Sequence, residues 1–146
     1  MDPPTVPNAT VVSKLAYATS SIARQPSADL PDKNCDSGPF SSSTAGFMVG
    51  GSGGPSVGRN SYVRKLTYAT DTTTTLPARH SQDIQGLAAM SYNDSKAYTM
   101  GGRGGPAQDG SWGNNGIRIY SLPTATNSPA PNLSNSVSHT TQTISS

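Results

Sequence analysis

An all-β fold is what this sequence predicts, and three observations carry the prediction. One hexapeptide is printed twice: Lys14-Leu15-Ala16-Tyr17-Ala18-Thr19 returns 51 positions later as Lys65-Leu66-Thr67-Tyr68-Ala69-Thr70. The same ungapped offset carries Gly50-Gly51-Ser52-Gly53-Gly54-Pro55 onto Gly101-Gly102-Arg103-Gly104-Gly105-Pro106, so two landmarks agree on one period. Around them residues alternate in polarity every second position, and Gly, Ser, Thr, Asn and Pro fill the intervals. That is the pattern of short strands joined by many turns.

Composition narrows the class further. Leu, Ile, Val and Phe number 21 of 146 residues, below the roughly 20% at which a chain has trouble filling a core. Disorder by self-repulsion is not the alternative, because ten basic residues nearly cancel eight acidic ones. A net charge of +2 with scattered Lys and Arg cannot build the basic stripe that tracks phosphates, so no nucleic-acid partner is expected. No apolar run approaches the roughly 20 residues of a membrane helix, and Met1-Asp2-Pro3-Pro4-Thr5 has neither the basic start nor the apolar stretch of a signal peptide. No membrane partner is expected either. The single cysteine, Cys35, excludes an internal disulfide, so a thin interior has to be stabilised by association.

Taken in order, residues 1–10 carry three prolines and read as an extended arm. Val11 to Thr19 alternates as a strand, and its twin, Tyr62 to Asp71, puts Leu66, Tyr68 and Thr70 on one face and Lys65, Thr67 and Ala69 on the other. A polar corner follows at Asp71 to Thr75, and Pro77 marks a strand end or turn. Gln85 to Ser91 reads as an inner strand and Asn93-Asp94 as a turn. Lys96 to Gly101 returns as a strand with Tyr98 and Met100 on one face. Gly101-Gly102 then calls for positive φ or very close packing. In the first copy Gly46 to Gly51 matches the returning strand, with Phe47 and Val49 in the places of Tyr98 and Met100. The preceding stretch, Cys35 to Phe40, contains Gly38-Pro39, which argues against a central strand. A third copy begins at Ile117-Arg118-Ile119-Tyr120 and dissolves into Ser, Thr, Asn and Pro. Residues 123–146 read as a second arm, with one last strand within Ser136 to Ile144. The repeats fall at about 13–63 and 64–115 with a partial third from 116, in a β domain over 11–122.

The residues that define the repeat are Tyr17, Phe47, Gly50, Gly51, Tyr68, Tyr98, Gly101 and Gly102. A period near 50 with a double glycine after an aromatic strand, a tyrosine strand and then Leu76-Pro77-Ala78-Arg79 is similar to the kelch motif. More closely, Lys65 to Thr72 combined with Tyr98-x-x-Gly101-Gly102 resembles the kelch-like repeats of bacteriophage virion and tail-fibre-like proteins, especially those of cyanophages. The first copy departs from it by lacking the arginine of Leu-Pro-x-x-Arg, and the kelch tryptophan is missing. The resemblance implies two and a fraction β-propeller-type blades of antiparallel strands with extended termini. It also implies a non-enzymatic structural component of a virion, assembled in the host cytoplasm with copies of itself or other virion proteins. Two blades cannot close a ring alone, whereas three chains of two would give six.

No catalytic constellation survives inspection. Arg79-His80-Ser81-Gln82-Asp83 places a histidine beside a serine, but neighbours on a strand point to opposite faces and a working triad is assembled from distant segments. Cys35 and the two histidines lack ligand spacing, and neither glycine loop is followed by Lys-Ser or Lys-Thr and a helix, so no metal or cofactor is expected. Tyr62, Tyr92 and Trp112 sit in turn-like surroundings, where they serve recognition or packing between blades. An alternative reading is therefore a carbohydrate-binding lectin or receptor-binding module that meets host-surface glycan through them.

Overall fold

The computed structural model describes residues 10–53, 58–104, 116–124, 126–132 and 134. Their regular structure is all-β apart from one 3-10 turn at Pro26–Ala28. The strands are β1 (Ser13–Ala16), β2 (Ser21–Arg24), β3 (Gly38–Ser41), β4 (Ala45–Val49), β5 (Asn60–Thr67), β6 (Thr72–Gln85), β7 (Ala88–Tyr92), β8 (Lys96–Met100), β9 (Arg103–Gly104), β10 (Ile117–Ser121) and β11 (Thr126–Ala130). They form three antiparallel sheets: the hairpin β1-β2, a five-stranded sheet in the order β3-β4-β5-β6-β9, and a four-stranded sheet β7-β8-β10-β11.

Three hairpins repeat one design. Thr19 Oγ1 lies 2.6 Å from Ser21 Oγ at the β1-β2 turn, Thr70 Oγ1 2.7 Å from Thr72 Oγ1 at the β5-β6 turn, and Thr124 Oγ1 2.8 Å from Thr126 Oγ1 at the β10-β11 turn. The turn residues Ser20 and Asp71 share a left-handed backbone, φ 50° and 47°. Such short polar side chains tolerate that region better than branched ones do. The third copy therefore does not dissolve. It makes β10 and β11, the latter within the stretch expected to be an arm, and Pro129 is accepted there because β11 is an edge strand among the described residues. The offset has grown from 51 positions (Lys14 to Lys65) to 54 (Leu66 to Tyr120), which hid the match.

Two further expectations are corrected. Pro77 neither ends nor turns a strand but lies inside β6, where the register with β5 slips between Arg64-Thr75 and Tyr62-Arg79. At such a bulge the missing N–H is not called on. The strands also end earlier than alternation implied: Tyr17 to Ser20 and Tyr68 to Asp71 are turn residues. Pro39 does enter a strand, β3, at the sheet edge where proline is tolerated. The strand expected at Ser136 to Ile144, residues 1–9 of the expected arm, and Trp112 lie outside the described residues.

The two larger sheets pack face to face. Phe40 and Phe47 stack at 5.1 Å between ring centroids, and Tyr120 from the four-stranded sheet closes on Phe40 at 5.5 Å. Ala45, Val49, Val63, Ile84, Leu87, Ala89, Ala97 and Leu122 complete the core. The neighbouring edge strands β3 and β7 are stitched together: Ser41 N–H donates to Ser91 Oγ, which donates to the Ser41 carbonyl. At the adjoining turns the Ser43 N–H and hydroxyl both donate to Asp94, holding its carboxyl below the usual range. Gly50, Gly51, Gly101 and Gly102 all have positive φ. At Gly51, φ 107°, an added Cβ would fall 2.2 Å from Asn34 Oδ1, so only glycine fits.

Candidate functional site

The five-stranded sheet has two faces, and only one is filled by the core. Alternation along β4 sends Ala45, Phe47 and Val49 into the interface and leaves Gly46 and Met48 on the reverse. Register sets Met48 opposite both Pro39 and Arg64, and Gly46 opposite Leu66, so these residues share the reverse face. That face floors a cleft of about 600 Å³, also bordered by Val12, Leu30, Tyr68, Thr73 and Met90.

The outer wall is the amino-terminal segment folded back on the sheet. Val12 N–H donates to Asp29 Oδ1 at 3.0 Å, Leu30 N–H to the Thr10 carbonyl at 2.8 Å, and Arg24 pairs with Asp29. The Arg24 hydrogen bond, then that of Val12, hold the Asp29 carboxyl below its ordinary range. Thr73 Oγ1 donates to the Ala28 carbonyl at 2.6 Å and Lys14 pairs with Asp71 at 3.0 Å, anchoring the segment to the β5-β6 hairpin.

Arg64 is the unusual residue of this cleft. Its side chain is 2% exposed, and its one ion pair among the described residues is Nη2 to Asp32 Oδ2 at 3.2 Å, a carboxylate that is itself 59% exposed. Among the described residues Nε and Nη1 are buried without a hydrogen-bond partner. The guanidinium lies 5.1 Å from the centre of the Tyr62 ring, which Arg79 also approaches, at 4.4 Å. Such contacts stabilise a cation but leave its N–H groups unpaired.

Sequence reasoning placed Leu66 and Tyr68 on one strand face; two and four residues back along that face stand Arg64 and Tyr62. The period-two stripe was the signal. Tyr62 is thus the shelf under two guanidinium groups rather than an exposed platform, whereas Tyr92, at the end of β7 in the other sheet, is 64% exposed. Tyr17 is 88% exposed, Tyr68 42% exposed and at the cleft rim, Phe47 buried, and Tyr98 half-buried.

His80 and Ser81 alternate on β6, buried and exposed. His80 Nδ1 lies 3.2 Å from the Gln82 carbonyl, which fixes the proton on that nitrogen. Burial pushes its pKa down to about 4, opposed by this bond and reinforced by Arg118. It is a packed neutral imidazole. Among the described residues no three of His, Cys, Asp and Glu gather as metal ligands would.

The second outward face belongs to the four-stranded sheet. Met90, Tyr98 and Ile119 stand side by side across β7, β8 and β10, as do Ala88, Met100 and Ile117. These are half-buried except Met90, 37% exposed. The opposite face, with Ala97, Thr99 and Tyr120, is buried against the core. No protein-family model matches the chain, and no curated protein sequence matches it.

Proposed function

We propose that the protein is a non-enzymatic structural component of a bacteriophage particle, in tail, fibre or capsid decoration, that works by packing its sheets against copies of itself or other particle proteins. The particle assignment rests on the sequence resemblance. The observation that carries assembly is the apolar outward face of Met90, Tyr98, Met100, Ile117 and Ile119, on a sheet whose other side already closes a face-to-face interface. Contiguous apolar faces of this kind mark interaction surfaces. The hairpin β1-β2 adds to it, with every residue exposed and Leu15 and Ile22 paired across it, 46% and 73% exposed. A lone two-stranded hairpin is marginal in water.

On this reading the two larger sheets are blades, and β1-β2 is the outer half of a third whose inner strands come from elsewhere. Two whole blades cannot close a ring, so the chain is completed by neighbours. Sedimentation of the purified chain is expected to give an oligomer, and Ile119→Asp to reduce it to a monomer with the strand signal in circular dichroism unchanged. A monodisperse monomer that melts cooperatively at every concentration up to about 100 μM, far above the range of specific assemblies, would overturn the reading. Mass spectrometry of purified particles tests the location.

A further inference from the structure

We propose that the cleft over Arg64 is a binding site for a small carboxylate on an apolar body, of the class of medium-chain fatty or arylalkanoic acids. This goes beyond the assembly reading and holds alongside it as long as the neighbour that completes the chain leaves this cleft open. Size is the first argument. About 600 Å³ falls within the roughly 300–1,000 Å³ of small-molecule pockets. The second is the lining: Leu30, Pro39, Met48, Leu66 and Met90 offer apolar body contact, while the hydroxyls of Ser91 and Thr73 at its border already donate to the Ser41 and Ala28 carbonyls.

Arg64 supplies the third. A guanidinium at 2% exposure has given up its hydration, and a single pairing to a solvent-facing carboxylate returns little of it. Among the described residues two of its nitrogens remain without acceptors, at the floor of a largely apolar cleft. A carboxylate is the acceptor best suited to a planar guanidinium, and charge-assisted bonds are about twice as strong as neutral ones. One arginine already facing Asp32 matches a monoanion rather than a phosphate dianion. A peptide fits poorly, because Ser41, Tyr68, Thr73 and Ser91 are too few to pair all the N–H and C=O groups of a buried backbone. A ligand with one polar head avoids that cost.

The test is calorimetric titration of the full chain with sodium decanoate, decanol and decanamide, with sedimentation run in parallel. Decanoate is expected to bind one per chain, at least about tenfold tighter than either neutral analogue, a difference of one charge-assisted bond. Arg64→Met removes that preference, and Asp32→Asn, which takes away the competing anion, tightens decanoate. Leu66→Trp, at a half-exposed position that accepts a larger ring, fills the cleft and weakens all three ligands while Arg64 stays. Equal affinity for the three ligands, decanoate binding unchanged in both Arg64→Met and Leu66→Trp, or a cleft closed to decanoate because a second copy occupies it would each overturn the proposal.

Discussion

Leu66 and Tyr120 hold the same place in two copies of one hairpin, four residues ahead of the hydroxyl pairs at Thr70-Thr72 and Thr124-Thr126. Register agrees: Leu66 stands opposite Gly46 as Tyr120 stands opposite Ala97. Their surroundings do not agree. Tyr120 is 3% exposed against Phe40, Leu66 is half-buried at an open cleft, and the third equivalent, Leu15, is 46% exposed. Local sequence makes the hairpin three times over; what packs across from it decides whether the position belongs to a core, a pocket or a surface.

That contrast is open to direct attack. Tyr120→Ala empties the closed interface and is expected to cost about 3–5 kcal/mol, as aromatic truncations in cores do, read from chemical denaturation. An equal cost for Leu66→Ala would abolish the distinction.

Acid attacks the fold at another buried position, His80. In the unfolded chain the imidazole takes up its proton near its ordinary value of about 6.5, whereas folded it does so only near 4. Stability is therefore full above about pH 6.5, falls as pH drops towards 4 and levels below it, a loss on the order of 3 kcal/mol. His80→Gln flattens this part of the profile; a profile identical to the parent's would remove His80 as its cause.

The smallest effects belong to the open positions. Leu66→Ala is expected to cost about 1 kcal/mol, in keeping with partial burial, and Leu15→Ala less than about 0.5 kcal/mol at concentrations where the chain is dilute. A larger loss at Leu15 that grows with protein concentration places that hairpin inside an assembly.

Much of the β architecture was legible because its signals are local. The strand Ala45–Val49 and its twin Lys96–Met100 follow from an aromatic residue in alternation and a glycine pair with positive φ. Pro77 misled because tolerance for proline depends on the partner strand, and the slip in register opposite it is invisible in one strand alone. The third hairpin was obscured by a longer connection after β8, which broke an ungapped comparison. Arg64 is illegible in the sequence for a different reason. A cation between Val63 and Lys65 reads as solvated, and its burial comes from a sheet face and an amino-terminal segment that sequence spacing does not bring together.

The three hydroxyl clasps have a kinetic corollary. Each fixes strand alignment within a handful of neighbouring residues, so each turn nucleates by itself, on the microsecond scale of isolated hairpins. Hairpins, being local, are expected to order first, and the mating of Phe40 and Phe47 with Tyr120, which brings together segments far apart in sequence, last. Mutations at the clasps are expected to be felt in how fast the protein forms, and those at the aromatic trio in how long it lasts, as folding and unfolding rates would show.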